Sequence, residues 1–403
     1  MTTQNHTPIP RHRTTHGPAI LAQGFRPFFL LAGIWAAATL ALFFATLQGW
    51  TVLPTAFSPV DWHSHEMLFG YISASIAGFL LTAIPNWTGR LPLQGAPLLG
   101  LALLWLAGRA AVAVSDLIGA TPAALIDLSF LFALCAVTLR EILAGRNWRN
   151  LPIILVISLL LIVNALMHVE LLGLLDSDGF ARRSAVAIVI MLITLVGGRI
   201  VPSFTRNWLA KRGARVLPGQ FGFFDRLTVA ATLIALCVWA VVPDAALAAR
   251  FSAVAAVLNL IRLLRWRGYY THPEPLLWVL HLAYLWIPVG LALLALSHWW
   301  PALPPSGALH ALTTGAMGTM TLAVMSRTTL GHTGRALHAG SALTTAYLCV
   351  TLAALLRIAS ALWSEMYTPL LTAAALAWFI AFVLFLAVCA PMLSTQRQDR
   401  QAG

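Results

Sequence analysis

The sequence has few charged residues. Asp, Glu, Lys and Arg together make up 9% of the 403 residues, whereas 59% are hydrophobic. Soluble domains carry roughly 25% charged and 45–50% apolar residues. This composition excludes an ordinary soluble domain and predicts a polytopic membrane protein. No hydrophilic segment between the apolar runs exceeds about 25 residues, so any chemistry is expected within the helical bundle or at its faces.

Cysteine is also scarce. The four cysteines, Cys135, Cys237, Cys349 and Cys389, lie inside apolar runs and never form a CxxC pair. This spacing argues against a disulfide framework and against an iron–sulfur site. The absence of a CxxCH motif excludes covalently attached c-type haem. We predict that the cysteines serve as packing residues.

Long apolar runs define the fold class. A helix needs about 20 apolar residues to cross a hydrocarbon core of about 30 Å, and the sequence contains runs of this length throughout. We predict an all-α protein with a single membrane domain over residues 25–392, a mobile cytoplasmic tail at 1–24 and a second cytoplasmic tail at 393–403. The predicted spans cover approximately 27–47, 63–86, 97–115, 120–142, 151–172, 182–202, 226–243, 246–264, 274–296, 306–327, 340–362 and 368–392.

The charges are unevenly distributed between the two sides of the predicted bundle. The formal net charge is +12, and most basic residues fall on the side that holds both termini. By the positive-inside rule, this side faces the cytoplasm. The basic charge therefore indicates topology, with both termini in the cytoplasm, and not a nucleic-acid-binding surface. The opposite loops carry acidic residues, namely Asp61, Asp116, Asp176, Asp178, Asp244 and Glu365.

Three similar stretches occur at the cytoplasmic ends of spans two, six and ten. They read "TAIPNWTGR", "GRIVPSFTRNW" and "AVMSRTTLGHTGR". Either these are three independent helix ends, or the chain follows a pseudo-threefold plan of four-helix units like that of the haem–copper oxidases. The sequence leaves both interpretations open.

The stretch "DWHSHEMLFG" places ionisable residues where span two enters the membrane, and such residues are costly there. If the helix already includes His63, then His63 and His65 point about 200° apart and serve two different centres. If it begins near His65, an extended His63 shares one metal with it. The thioether of Met67 suits Cu(I), and Glu66 is positioned to orient an imidazole or relay protons. The alternative is that the polar residues only cap the helix.

Further candidate residues lie in other spans. His168, His298 and His310 are expected at the same outer level as His63 and His65, and several histidines at one depth favour a metal site over isolated bonds between helices. Arg109 and Asp127 lie at matching depth in adjacent spans, which predicts a neutralising ion pair. Three cytoplasmic arginines are candidates for binding haem propionates, or else only set the topology: Arg199, Arg206 and Arg327.

Four longer motifs resemble the NnrS family: "WHSHEMLFGY", "AGFLLTAIPNWTGR", "GGRIVPSFTRNW" and "GAMGTMTLAVMSRTTLGHTGR". The resemblance covers nearly the whole chain. It implies a bacterial inner-membrane protein that contains haem and copper and acts in nitric oxide metabolism and resistance to nitrosative stress. Since no c-type attachment site is present, the haem is expected to be haem b. The histidines that match the family motifs, and so the expected metal ligands, are His63, His65, His168, His281, His310 and His332.

The resemblance leaves the type of function open. The protein either binds nitric oxide or a related nitrogen oxide, with or without turnover, or belongs to one of two other classes. A transporter would have helices broken by glycine or proline near the bilayer midplane, and "WIPVG" in span nine is a candidate break. A haem-handling or assembly factor would bind its cofactor reversibly through exposed histidines, such as the one in "SHWWP".

Overall fold

A computed structural model describes residues 17–398 as a bundle of helices, with no β-strand in this range. Twelve of the helices are long and apolar enough to cross a membrane. The prediction of an all-α, twelve-span membrane protein is therefore confirmed. The helices are α1 (Phe25–Leu47), α2 (Pro59–Thr88), α3 (Ala96–Ala113), α4 (Ala120–Ala144), α5 (Trp148–Leu171), α6 (Phe180–Lys211), α7 (Phe223–Val241), α8 (Ala246–Arg265), α9 (Pro275–Trp299), α10 (Pro305–His332), α11 (Gly340–Leu362) and α12 (Ser364–Ser394).

Helices that follow one another in the chain mostly pack as antiparallel neighbours. The pairs α3–α4, α7–α8 and α11–α12 share extensive contacts, and α1 packs against α12, so that the first and last spans meet. The guanidinium of Arg26 in α1 donates to the carbonyls of Leu393 (2.9 Å) and Thr395 (2.6 Å), where α12 ends. We call the end of the bundle where the even-numbered helices begin the outer face, after the orientation predicted from the charges.

Four helices form the centre of the bundle. In α2, α6, α9 and α10, 61–78% of the most apolar stretch is buried, against at most 44% in any other span. Three of these helices, α2, α6 and α10, are four spans apart, as a pseudo-threefold plan requires. The burial of α9 does not follow that spacing, and the repeat stays a prediction.

The tails are only partly described. Residues 17–24 include a short 3-10 turn at Ala19–Leu21, whereas the rest of the predicted N-terminal tail lies outside the described residues. At the other end, the backbone N–H of Gln398 donates to the carbonyl of Thr333 at 3.0 Å. The described start of the predicted C-terminal tail therefore contacts the end of α10.

The start of α2 resolves an alternative that the sequence left open. Ser58 precedes the helix, its side-chain oxygen accepts a hydrogen bond from the backbone N–H of Asp61, and Pro59 occupies the first turn. Both features are common at helix N-termini. The helix therefore begins before His63, and both histidines of "HSHEM" have helical backbone geometry.

Two of the central helices contain π-helical segments. In α2 the segment Glu66–Ile72 follows His65, and in α10 the segment Ala311–Gly318 follows His310. Such segments are rare and occur frequently at functional sites. In each helix the wider turn thus comes directly after a histidine near the outer face.

Helix α6 is longer than the sequence suggested. It continues to Lys211, whereas the apolar run ends near residue 202, so Arg206 lies on a helix and not in a loop. The added residues include no glycine, and the first glycine afterwards, Gly213, has a positive φ of +70° that suits a helix end. The apolar run therefore predicted the span of α6 but not the residue at which the helix ends.

Candidate functional site

The two histidines of "HSHEM" point into different surroundings. The ring of His63 stacks on Phe43 of α1, with centroids 4.2 Å apart and an interplanar angle of 16°. The ring of His65 is fully buried on another side of α2, 5.1 Å from the ring of His168. This divergence is what two helical residues two positions apart are expected to show.

His63 lines a cavity of about 380 Å³ near the outer face. This volume falls within the range of small-molecule and cofactor pockets, about 300–1,000 Å³. The cavity lies between α1, α2, α6, α10, α11 and α12, and its walls are mainly aliphatic and aromatic. Its polar, sulfur-containing and large aromatic lining residues are Phe43, His63, Ser64, Met67, Tyr71, Arg182, Ser306, His310, Thr313, Thr314, Met317, Arg357, Tyr367 and Trp378.

His310 reaches the same cavity from α10. Its Nδ1 lies 2.8 Å from the carbonyl oxygen of Ser306, one helical turn earlier. Because a carbonyl only accepts, Nδ1 carries the hydrogen and Nε2 keeps its lone pair in the neutral ring. In His63 the Nδ1 atom is buried without a hydrogen-bond partner. The cavity is thus lined by two imidazoles that each have a nitrogen without a protein partner available for a ligand.

Two arginines add positive charge to the cavity wall. Arg182, at the start of α6, lies 3.4 Å from Asp61 in an ion pair that is partly exposed to the surroundings. Arg357, in α11, is partly buried and donates to the hydroxyl of Ser360 at 3.2 Å. Among the described residues, no aspartate or glutamate lines the cavity. The charge of the lining is therefore positive.

On the other side of α2, a buried charge network surrounds Arg109. Its guanidinium donates to Glu66 Oε1 at 2.6 Å and to Asp127 Oδ1. Glu66 Oε2 accepts a further hydrogen bond from the indole N–H of Trp35 at 2.7 Å. The pairing of Arg109 with Asp127 predicted from their depth is confirmed. The structure adds Glu66, which comes from a third helix.

His65, Asn164 and His168 complete the network. His65 Nδ1 lies 3.1 Å from Glu66 Oε1, and its Nε2 lies 2.9 Å from Asn164 Oδ1. Asp127 Oδ2 accepts from Asn164 Nδ2 at 2.8 Å and from His168 Nε2 at 3.0 Å. Both ring nitrogens of His65 face acceptors, an arrangement that suits an imidazolium. With His65 protonated, two positive groups balance two carboxylates.

The same atoms have spacings that could accommodate a metal ion. His65 Nε2 and His168 Nε2 lie 3.3 Å and 3.0 Å from Asp127 Oδ2, and the three residues form a compact buried group. Ligands about 2.0–2.2 Å from a tetrahedral ion are separated by about 3.3–3.6 Å. These positions therefore suit either hydrogen bonds or a cation. A cation would replace the protons on the two imidazole Nε2 atoms.

The remaining predicted ligands lie elsewhere. His281 Nε2 lies 2.8 Å from the hydroxyl of Thr205 near the cytoplasmic end, and its Nδ1 is buried without a partner. The ring of His332 packs against Phe25, with centroids 5.5 Å apart. Neither histidine lines the outer cavity. Their assignment as metal ligands stays a prediction.

The three arginines predicted to bind propionates also lie away from this cavity. Arg199 is exposed, Arg206 donates to the carbonyl of Pro218 at 3.1 Å, and the guanidinium of Arg327 lies 4.4 Å from the centre of the Phe204 ring. The cavity is instead lined by Arg182 and Arg357, which sequence analysis did not single out. Arg357 had a detectable signal, since it interrupts an apolar span just as Arg109 does.

Arg262 is a further buried charge that sequence analysis did not single out. It lies in the last turn of α8, where the structure buries it completely. It pairs with Asp225 at 2.9 Å and donates to the hydroxyl of Tyr284 at 2.9 Å, which in turn donates to Asn259 at 2.7 Å. The spacing along one helix cannot reveal that Asp225 of α7 faces Arg262.

Comparison with known proteins agrees with this architecture. The sequence profile of the family described as "NnrS protein" matches residues 19–397, nearly the whole chain. No curated protein sequence matches the chain. The matched range includes all twelve membrane helices and every histidine discussed above. The protein therefore belongs to the NnrS family.

Proposed function

We infer that the protein is a membrane protein related to nitric oxide, because it belongs to the NnrS family. We propose that the protein binds nitric oxide or a related nitrogen oxide at a haem and protects the cell against nitrosative stress. The observation that supports this function is the cavity in which His63 of α2 and His310 of α10 both present imidazoles. We propose these two residues as the ligands of a b-type haem.

The residues around the cavity fit such a group. His63 Nδ1 is buried without a partner, and His310 Nε2 is left free by the bond from Nδ1 to Ser306. The hydrophobic walls, including Phe43 and Trp378, suit a porphyrin, and the positive charge of the lining suits its carboxylates. A haem held only by histidines agrees with the absence of a covalent attachment motif.

A haem held by these residues would supply an iron that can bind nitric oxide. The protein favours one of its two histidines as the permanent ligand. The hydrogen bond from Nδ1 to Ser306 fixes the ring of His310 and makes its Nε2 more basic. His63 has no such bond and is held mainly by stacking on Phe43. We therefore propose that His310 would hold a haem more firmly than His63 would.

We place the proposed copper at His65, His168 and Asp127. Imidazole suits copper but also zinc and iron, so the donor set alone does not select the metal. Without protonation of His65, the two carboxylates and Arg109 leave one net negative charge, which a bound cation would neutralise. Copper and the proton on His65 thus compete for the same nitrogen, and copper binding should strengthen as the pH rises.

The two alternative classes receive less support. Transporters of this kind use discontinuous helices, whereas α9 runs without a break through Pro288 of "WIPVG". A haem-handling factor would present its ligands on the surface. His298 of "SHWWP" is exposed, but His63 and His310 lie inside a cavity. The structure therefore favours retention of haem over its transfer.

The test is a visible absorption spectrum of the purified protein with quantitative metal analysis. The expected result is stoichiometric haem b whose Soret band shifts when nitric oxide is added under anaerobic conditions. Protein from haem-replete cells that is monodisperse but colourless would contradict the proposal. If haem is present but its spectrum does not change with nitric oxide, the proposed cofactor is supported and the proposed binding of nitric oxide is contradicted.

A further inference from the structure

Arg357 lies on the cavity wall at the level where α11 approaches the outer face. Its helix ends at Leu362, and the cavity also includes Tyr367 at the start of α12 and His310 near the start of α10. The side chain is partly buried, and within the described chain the hydroxyl of Ser360 accepts a hydrogen bond from it at 3.2 Å. Arg357 is thus placed to meet whatever fills the cavity.

The charge of Arg357 is not balanced by the protein. Within residues 17–398, no carboxylate forms an ion pair with it, whereas the buried Arg109 and Arg262 each have a carboxylate partner. Arg26 is also buried, but it donates to carbonyls at the end of α12 instead. Charged residues inside membrane spans are costly and usually pair or face a functional cavity. An anionic ligand in the cavity would supply the missing partner.

We propose that Arg357 binds a carboxylate of the ligand that occupies the cavity. This inference rests on the proposed function, where the carboxylate is one propionate of the haem. A guanidinium suits this role because its planar fork donates two parallel hydrogen bonds to a carboxylate. Arg182 is less suited because Asp61 already pairs with it. The propionate edge of the haem therefore faces Arg357 and the outer end of α11.

The guanidinium of Arg357 could bind a small free oxyanion through the same hydrogen bonds. Nitrite and free carboxylates share the paired oxygens that a guanidinium recognises. The experiment therefore needs one arm in which the carboxylate belongs to the haem and one in which the anion is free. Both arms require haem-free protein that elutes as a single species in detergent.

The first arm compares haem b with its dimethyl ester, which lacks both carboxylate charges. Wild type, Arg357→Gln, Arg357→Lys and Arg250→Gln are titrated with each compound and followed at the Soret band. Arg250 is an exposed arginine of α8 and serves as a matched control. Wild type and Arg250→Gln should prefer haem over the ester about tenfold or more, since a charge-assisted bond contributes about 1.5–3 kcal/mol. Arg357→Gln should lose most of this preference, and Arg357→Lys should keep part of it.

The second arm measures thermal stabilisation of haem-free protein by nitrite and by propionate. If wild type binds neither haem nor ester, the proposed function fails, while stabilisation by a small anion that disappears in Arg357→Gln would still support the anion site. The inference is overturned if Arg357→Gln discriminates haem from ester as strongly as wild type does. It is also overturned if wild type responds to neither haem nor small anions.

Discussion

Removing Arg109 should destabilise the protein more than removing any one of its partners. Arg109 contacts the carboxylates of both Glu66 and Asp127, and all three side chains are buried. Loss of one member of a buried ion pair costs about 3–5 kcal/mol because the other charge is left uncompensated. Arg109→Leu leaves two buried carboxylates beside the imidazoles of His65 and His168 without the permanent charge of the guanidinium, so we expect a loss near the upper end of this range.

The double substitution Arg109→Leu with Asp127→Leu should lower the free energy of unfolding by less than the sum of the two single substitutions. It leaves Glu66 and His65, whose Oε1 and Nδ1 atoms lie 3.1 Å apart and form a neutral pair when His65 is protonated. Replacing a buried pair with apolar residues is often nearly neutral. The double mutant should therefore recover about 0.5–3 kcal/mol relative to the sum of the two single changes.

The assay is the free energy of unfolding in mixed detergent micelles, together with the amount of protein that accumulates in the membrane. Arg90→Leu is a useful control, because Arg90 pairs with Glu141 at 2.6 Å through a side chain that is 45% exposed. Such exposed pairs contribute at most about 1 kcal/mol. The reasoning is refuted if Arg109→Leu unfolds like wild type, or if the double mutant loses the full sum of the single effects.

Four other substitutions test two features of the bundle, the different surroundings of His63 and His65 and the packing at Gly70. His63→Ala should lower haem content while leaving copper in place, and His65→Ala should lower copper while leaving most haem, because the two rings face different sites; equal loss of both metals from folded protein would contradict this. Gly70→Ala should lower the free energy of unfolding by about 1–3 kcal/mol, since a Cβ there would overlap the indole of Trp35. Gly100→Ala, where a Cβ meets no atom within 4 Å, should be neutral or stabilising, and similar losses at both glycines would refute the steric argument.

Much of the fold follows from the sequence because the membrane imposes a local rule. Each span must satisfy its own backbone hydrogen bonds and match the hydrocarbon thickness, so length and hydrophobicity are enough to find it. The twelve spans were identified in this way. The end of α6 was not predicted correctly, because the helix continues beyond the apolar run to Lys211, shortly before Gly213.

The candidate site was only partly predictable, because its charges meet across helices. The depth of Arg109 and Asp127 in adjacent spans was enough to pair them, but nothing in the spacing of α2 revealed that Glu66 contacts the same guanidinium. The opposite directions of His63 and His65 followed from helical geometry alone. By contrast, the presence of Arg357 in the same cavity as His63 depends on how α11 packs against α10 and α12, which the sequence does not show.

The haem content of three histidine variants tests the central claim most directly. His63→Ala, His310→Ala and His298→Ala are purified from haem-replete cells, and the haem-to-protein ratio is measured for species that elute like wild type. His298 is exposed at the outer end of α9 and does not line the cavity, so it is the matched control. We expect His310→Ala to lose nearly all haem, His63→Ala to lose part of it with a changed Soret band, and His298→Ala to keep the wild-type ratio. Full haem content with an unchanged spectrum in both His63→Ala and His310→Ala would contradict the assignment of this cavity as the haem site.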